Sequence, residues 1–420
     1  MRALVTDFST RRYLFTAAAQ KLPRGLGRSA GWGPGGMLSL VDDYAEPTLP
    51  SAPGWVRLRP ELSGICGSDI GLLHGHISLV LTAFGSAPTM IFGHETVAVV
   101  DEVGPGVSKV SAGDRVAVNP IISCAQRGHD PVCRACADGY PGVCERFDQP
   151  GVSNCRSMSL GFDSNVGGGW GQSLVAHESM LYKVNGMSSK RAVLAEPASI
   201  TLHAALRWKR RGERVVVIGP GTIGQLTVAA LRMLHADLDI IVLSPDDFGS
   251  AKAMEAGASR VLPSSARAVE SLADSDGGRV LRPRMTKTPI LERGVDAVFD
   301  CVGSPETIDL GLHLLRSTGS FVLIGAAGKQ PMDWSLVWNR RIDVSGTYNF
   351  GPEPTLPDER HTMEQVVDWL ADSKYRVDGL VTGVFDIDQW QTAIETASAG
   401  PRARSVKATL RPNPDIALVQ

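Results

Sequence analysis

The stretch Arg214–Gly224, RVVVIGPGTIG, decides the fold. Its first half is a β-branched apolar run, the composition of a buried strand. It runs directly into Gly219, Gly221 and Gly224, spaced G-x-G-x-x-G. Beyond them Ile223, Leu226, Thr227, Ala230, Leu231 and Leu234 recur at i, i+3, i+4, i+7, i+8 and i+11, the stripe of an amphipathic helix. Glycine is needed at such positions because the turn is tight, the backbone approaches a pyrophosphate, and helix packs closely on strand. The helix N-terminus adds free N–H groups and a positive dipole end. A dinucleotide is therefore expected on Gly219, Gly221, Thr222, Ile223 and Gly224.

Working outward, DIIVLS (239–244) reads as a second strand and GSAKAMEAGA (249–258) as a helix stopped by glycine. VDAVFDCVG (295–303) and GSFVLIGAAG (319–328) read as further strands. Strands alternating with helices imply an α/β region with a doubly wound parallel sheet. At the ends of the later strands, Ser244, Cys301, Val302, Gly303, Ile324 and Gly325 are expected to complete the cofactor contacts. An acid that holds a ribose usually lies ~20 residues past the glycines. Val242–Leu243 occupies that place, and Asp246 and Asp247 come slightly late. With no nearby Arg and two acids to repel a 2′-phosphate, the residues lean to NAD over NADP. The polar insert Ser264–Arg293 reads as a surface loop with some helix.

Upstream the character differs. From Trp55 to Val118, short β-branched runs alternate with Gly, Pro and Asp turns, as in TVAVVDEVGPGVSKVSAGDRVAV (96–118). This pattern suggests a small, mostly antiparallel barrel or sandwich. The first part of the chain is rich in Gly and Pro, as in LPRGLGRSAGWGPGG (22–36), and reads as turns and short strands. STRRYLFTAAAQK (9–21) has twin arginines before an apolar run, but the run stops at Gln20–Lys21, too short for a secretory signal. The 42 basic and 44 acidic residues leave a net charge of −2, which argues against nucleic acid and anionic membrane as partners. No apolar run approaches the ~20 residues of a membrane span, and a cytoplasmic location is expected.

The seven cysteines are odd in number, and four fall within Cys124–Cys144. Clustering of this kind suggests metal rather than a disulfide framework. Cys133, Cys136 and Cys144 give C-x2-C-x7-C, which suits a tetrahedral structural zinc. The fourth ligand is Cys124 or Asp130, with Cys124 favoured because thiolate is the softer donor. A dispersed set also offers one thiolate, one imidazole and carboxylate: Cys66 in SGICGSDI (63–70), His94 and Glu95 in GHE, and Glu196 in AEPASITLHA (195–204). Together they make a plausible catalytic zinc shell with one position open, and Asp69 could accept the second ring N–H of His94.

GICGSD, GHE followed by VDEVGPGV, GDRVAV, the cysteine lobe, EPASITLHA and GPGTIG occur in one order. In that order the chain resembles the zinc-dependent medium-chain dehydrogenase/reductase family, from about Val56 to Val344. Glutamate at the third-ligand position, Glu196 here, is similar to the sorbitol, threonine and glucose dehydrogenase branches. The resemblance implies a GroES-like catalytic domain (1–190, with a zinc lobe at about 120–146), a Rossmann domain (191–350) and a C-terminal return (351–420). It also implies two zinc ions per chain, NAD or NADP, a small-molecule alcohol or carbonyl substrate, and a homo-oligomer, dimer or tetramer. In the implied reaction zinc acts on the substrate oxygen as a Lewis acid, Ser68 takes the alcohol proton and the nicotinamide takes the hydride. Glu95 and Glu196 exchange as zinc ligand and water partner. By analogy, glutamate ligation leans to polyols, sugars or hydroxy acids.

Some positions depart from the family pattern. The N-terminal segment before Cys66 is longer than usual, and Ala98 stands where the GHE signature normally carries glycine. Gly71 replaces a relay histidine found in some members, leaving His74 and His76 as nearby candidates. Asp130 stands at the first lobe position. Two alternatives, a zinc-independent quinone or enoyl reductase and a non-enzymatic nucleotide-binding protein, have no use for Cys66 with His94.

Overall fold

The computed structural model describes residues 1–20, 22, 29–76, 78, 80, 89–208, 212–276, 278–285 and 288–420. The chain forms two compact units: Met1–Glu196 with Asn349–Ala371 and Val381–Gln420, and Pro197–Tyr348 with Asp372–Leu380.

The first unit carries strands β1 (Ala3–Asp7), β2 (Leu38–Val41), β3 (Trp55–Gly64), β4 (Thr89–Ile91), β5 (Thr96–Val103), β6 (Arg115–Val118), β7 (Leu174–His177) and β8 (Leu181–Lys183). The second carries β9 (Arg214–Ile218), β10 (Asp239–Ser244), β11 (Arg260–Pro263), β12 (Val280–Leu281), β13 (Ile290–Leu291), β14 (Val295–Asp300), β15 (Leu315–Leu323) and β16 (Asp343–Gly346). The chain then returns to the first unit with β17 (Val381–Asp386) and β18 (Lys407–Arg411).

In the first unit the main sheet runs β17-β18-β3-β5-β6-β8, with β7 also on β3. Every pairing in it is antiparallel except β17 with β18. The β-branched alternation of 96–118 is the cause: Ala98, Val100, Val116 and Val118 face inward onto Trp55, Leu58, Leu174 and Leu181. In a smaller sheet, β2-β1-β4, the N-terminal segment supplies β1 and β2 and pairs with β4.

That segment corrects the reading of turns and short strands, because Thr10–Ala19 is a helix. Its apolar residues do not form one buried stripe: Leu14 and Phe15 are exposed while Thr16 is buried. Periodicity therefore carries no signal, and helix propensity in the alanine run decides. Residues 23–28 of the glycine-rich stretch lie outside the described residues.

The second unit is the expected doubly wound sheet, six parallel strands in the order β11-β10-β9-β14-β15-β16. The strand order reverses between β9 and β14, where ligands of such sheets bind beyond the carboxyl ends. The insert 264–293 is more than a surface loop. Helix Arg267–Asp276 and the β12–β13 hairpin lie in it, and Ala268, Val269, Leu272 and Ala273 join the core with Val216, Ile241 and Phe321. Its buried face, Ala268, Val269, Leu272 and Ala273 at i, i+1, i+4 and i+5, is set among polar and small residues.

Two stability outcomes follow. Leu272 is fully buried, so Leu272→Ala should cost about 2–5 kcal/mol in urea unfolding. A surface position would change by less than about 0.5 kcal/mol. His361 lies between the rings of Tyr182 and Phe350, each 5.6 Å away, and its Nδ1 accepts the Met363 N–H at 3.1 Å. Burial, assisted by the Lys109 charge, lowers its pKa to about 4. The folded state thus favours neutral imidazole: the stabilisation is complete above the ordinary histidine pKa of about 6.5 and is lost as pH falls through about 4. Unfolding midpoints measured across that window should drop, and His361→Phe should flatten the drop.

Candidate metal centre and dinucleotide cradle

Strand pairing gathers the first set of donors. β3 is antiparallel to β5, with Ser63 opposite Thr96, and to β18, with Gly64 opposite Thr409. Gly64 N–H donates to Glu95 O at 2.7 Å and Ile65 N–H to Ala408 O at 3.0 Å. The end of β3 therefore delivers Cys66 beside His94, Glu95 and Lys407. Cys66 precedes helix Gly67–Leu73, and its N–H donates to Asp69 Oδ2 at 2.9 Å. Two glycines make room. At Gly93 φ is +98°, and a Cβ would lie 2.5 Å from Trp170 Cδ1. A Cβ on Gly64 would lie 1.8 Å from Glu95 Oε2, so that carboxylate occupies the space a side chain would take.

Cys66, His94 and Glu95 each present a donor atom within 4.8 Å of the others. Glu196, 6 % exposed in the first turn of helix Ala195–Arg207, lies outside that tight group but interacts electrostatically with all three. His94 Nδ1 faces Asp69 Oδ1 at 3.7 Å, just beyond hydrogen-bond range; both atoms are buried and neither has a hydrogen-bond partner. That orientation leaves the other ring nitrogen for the cluster. Phe162 packs on the imidazole at 5.3 Å. The Ser68 hydroxyl is hydrogen-bonded to the Cys66 thiol. His74 and His76 stand apart from the cluster: His74 bonds Gln20 at 3.1 Å and Ser398 at 2.9 Å, and stacks on His76.

The electrostatics suit a cation. Burial, then the charges of Glu95 and Asp69, pushes the Cys66 thiol up to about 12. Burial likewise raises Glu196 to about 8 and Asp69 to about 6. Burial alone would lower His94, but Asp69, Glu196 and Glu95 outweigh it and raise the imidazole. Soft sulfur, imidazole and carboxylate converging in one buried, anion-rich pocket fit zinc.

Lys407 was missed by sequence reasoning. Its Nζ donates to Glu95 Oε1 at 2.7 Å and Oε2 at 2.5 Å, and both residues are buried. In KATLR the lysine alternates with Thr409 and Arg411, the pattern of a solvent-facing strand side. Nothing local distinguishes it; only the pairing of β18 with β3 places it inward.

In the cysteine lobe all four sulfurs of Cys124, Cys133, Cys136 and Cys144 lie within 4.8 Å of one another. Sγ of Cys144 is 3.6 Å from Cys124 and 3.9 Å from Cys133. Those separations far exceed a disulfide bond of about 2.05 Å. They match the edges, about 3.8 Å, of a tetrahedron with Zn–S bonds of about 2.3 Å. Asp130 is exposed and outside the group, so the geometry favours Cys124. Arg127, also unforeseen, is fully buried and donates to the carbonyls of Ile122, Ser123, Phe147 and Ser157, tying both ends of the lobe together.

In the second unit β9 ends at Ile218, Gly219 follows with φ +96°, and helix Thr222–Leu234 begins after Gly221. A Cβ on Gly224 would sit 1.8 Å from Gly219 O, whereas one on Gly221 would meet nothing within 4 Å. Gly224 thus serves packing, and Gly221 leaves the backbone at the helix start open, the room that such turns keep for a pyrophosphate. Ile223, one residue into the helix, is half-buried, and its carbonyl accepts the Thr227 hydroxyl. After β14, Asp300 accepts the N–H groups of Val302 (2.9 Å) and Gly303 (3.2 Å), while Cys301 Sγ lies 3.8 Å from Thr227 Oγ1. Ile324 and Gly325 follow β15 on the same sheet edge, and a Cβ on Gly325 would come 2.3 Å from Val302 C. Ser244 Oγ donates to Asp246 O, and the Asp246 carboxylate caps the next helix through Gly249 N–H. Gln225 links the two turns by donating to Pro220 O and Gly249 O, a clamp with no sequence signal.

Comparison with known proteins agrees with this geometry. Residues 52–186 match the alcohol dehydrogenase GroES-like domain and residues 222–372 the zinc-binding dehydrogenase domain, together roughly two-thirds of the chain. L-idonate 5-dehydrogenase of Vitis vinifera is 28 % identical over 375 residues, 88 % of this chain and 91 % of that one. Sorbitol dehydrogenase of Bacillus subtilis is 26 % identical over 347 residues, 81 % and 86 % of the two chains. Among solved structures, an alcohol dehydrogenase of Escherichia coli in complex with NADH superimposes with a TM-score of 0.70 at 22 % identity, covering 98 % of this chain and 99 % of that one. The 2R,3R-butanediol dehydrogenase of Bacillus subtilis gives 0.65 at 23 %, covering 90 % and 96 %. At these identities the structures speak for the fold, and the domain matches and sequence relatives carry the assignment. The chain belongs to the zinc-dependent medium-chain dehydrogenase family, NAD(P)-dependent oxidoreductases acting on alcohols.

Proposed function

We propose that this protein reversibly oxidises a hydroxyl of a polyol, sugar or hydroxy acid to the carbonyl, with NAD as the preferred acceptor. The convergence of Cys66, His94 and Glu95 within 4.8 Å carries the reading, with Glu196 alongside. L-idonate and sorbitol dehydrogenases among the relatives support the substrate class. Bound at this centre, zinc would supply a Lewis acid for the substrate oxygen, and a bound nicotinamide would supply the hydride acceptor. Cys66 and His94 would hold the metal, with Glu95 and Glu196 exchanging as its carboxylate ligand, and Asp69 Oδ1 faces the imidazole Nδ1 on the side away from it. Ser68, half-buried beside Cys66, takes the alcohol proton and hands it toward solvent. Phe162 shields the imidazole face from water.

The cofactor would lie on Gly219, Gly221, Thr222, Ile223 and Gly224, with Ser244, Cys301, Val302, Gly303, Ile324 and Gly325 along the same sheet edge. Preference for NAD rests on Asp246 and Asp247 near the ribose position, where a 2′-phosphate would be repelled. A second, structural zinc would be held by Cys124, Cys133, Cys136 and Cys144. Exposed Trp334, Trp338, Val344 and Tyr348 around edge strand β16 support a homo-oligomer. Seven free cysteines suit the reducing cytoplasm.

Four measurements test this. Zinc analysis should find about two ions per chain, with activity lost on chelation. Cys66→Ala should lower turnover on the order of 10³-fold while NADH titration by fluorescence stays normal; near-normal rates would sink the assignment. Cys136→Ala should remove one zinc and lower the melting temperature by several degrees, showing up in stability before turnover. An alcohol panel read at the reduced-nicotinamide absorbance, with NAD and with NADP, identifies the substrate class.

A further inference from the structure

Helix Thr10–Ala19 shows its apolar side to water. A helix on a protein surface ordinarily turns that side inward and leaves the polar side outside. Here Thr16 is fully buried, and Gln20, just past the helix end, bonds His74 at 3.1 Å. Arg12 donates to Gly36 O and pairs with Asp7 at 3.1 Å. Tyr13 and Ala17 both come within 3.9 Å of where a Cβ on Gly75 would stand. The opposite side carries Arg11, Leu14, Phe15 and Ala18, at i, i+3, i+4 and i+7, and all four are exposed. Leu14 is 60 % exposed and Phe15 47 %. Leu22 follows, its N–H on Ala19 O at 3.0 Å, and is 52 % exposed.

We propose that this face docks on an anionic lipid surface, with Leu14, Phe15 and Leu22 entering the headgroup boundary and Arg11 pairing with lipid phosphates. The contact is separate from the metal centre and does not depend on the reaction assigned to it.

Charge selects this occupant. The net charge of −2 averages over a segregated chain: from Phe8 to Val41 there are five basic residues, Arg11, Arg12, Lys21, Arg24 and Arg28, and no acidic one. Two copies of such a segment would meet cation to cation, which argues against a second copy of this chain. Extent argues against a protein partner of another kind. A stable protein interface takes about 20–30 residues a side, and here three large apolar side chains follow one short helix. A lipid surface needs no matched shape. It accepts a few apolar side chains at the headgroup boundary and draws cations by its own charge. Among the described residues no helix is long and apolar enough to cross a membrane, so the contact is peripheral. Strand β1, paired on both sides by β2 and β4, leads directly into the helix and gives it a fixed base.

The test is co-sedimentation of the full chain with vesicles of phosphatidylcholine alone or with about one-third phosphatidylglycerol. Binding should appear only on the anionic vesicles and fall steeply between low and high salt. Leu14→Ser/Phe15→Ser should weaken it at least tenfold, and Arg11→Glu by about fivefold or more. Both variants should keep the wild-type melting temperature and dehydrogenase rate, so a failed lipid result leaves the catalytic reading untouched. Phe15→Trp reports insertion directly: its added emission should shift to the blue on anionic vesicles and be quenched by brominated acyl chains. Three results overturn the proposal: no sedimentation with anionic vesicles, undiminished binding by folded Leu14→Ser/Phe15→Ser, or no emission change in Phe15→Trp. So does a lipid-free oligomer that Leu14→Ser/Phe15→Ser dissociates, which would give the face to a second copy. Should the double serine variant fail to fold, Arg11→Glu and Phe15→Trp decide the matter.

Discussion

The interior of the first unit must accommodate a crowd of like charges. Cys66, Asp69, Glu95 and Glu196 are drawn into one dry pocket, with the Lys407 ammonium and the His94 imidazole as the balancing groups. In a medium of low polarizability such a set cannot be fully ionised by itself, and burial raises Cys66, Asp69 and Glu196 accordingly. A protein retains this arrangement at a cost to its stability when a divalent cation is meant to complete it. The geometry that brings Cys66, Glu95 and Lys407 together is the pairing of the end of β3 with β5 and β18.

The two units divide the chemistry. The first concentrates soft and hard metal donors at strand ends, where backbone positions are set by the ladder rather than by loop flexibility. The second presents its glycines at the carboxyl edge of a parallel sheet, where Gly221 leaves the backbone accessible and Gly224 lets helix approach strand. The cysteine lobe has a different task. Four thiols gather at one point and the buried Arg127 ties the carbonyls of Ile122, Ser123, Phe147 and Ser157 together in a stretch with little regular structure.

The parts that could be read in advance are those whose physical requirement is local. G-x-G-x-x-G is legible because a tight turn and a phosphate approach exclude side chains at fixed offsets. The clustering of C-x2-C-x7-C is legible because thiols at loop spacing can fold onto one point, as these sulfurs do. Helix Thr10–Ala19 was not legible, since its buried face is short and its large apolar residues point outward. Nor was the core role of Leu272, surrounded in sequence by polar and small residues.

From residue order alone come the doubly wound sheet, the antiparallel first unit, the two groups of metal donors and the dinucleotide turn. Each is encoded by neighbours along the chain, through periodicity, glycine placement or cysteine spacing. Tertiary structure alone settled that Asp130 stays outside the sulfur cluster and that Glu95 meets an ammonium 312 residues away. A charge partner contributed by a distant strand leaves no trace in local pattern, because the lysine's own neighbours look the same whether it faces water or a buried carboxylate.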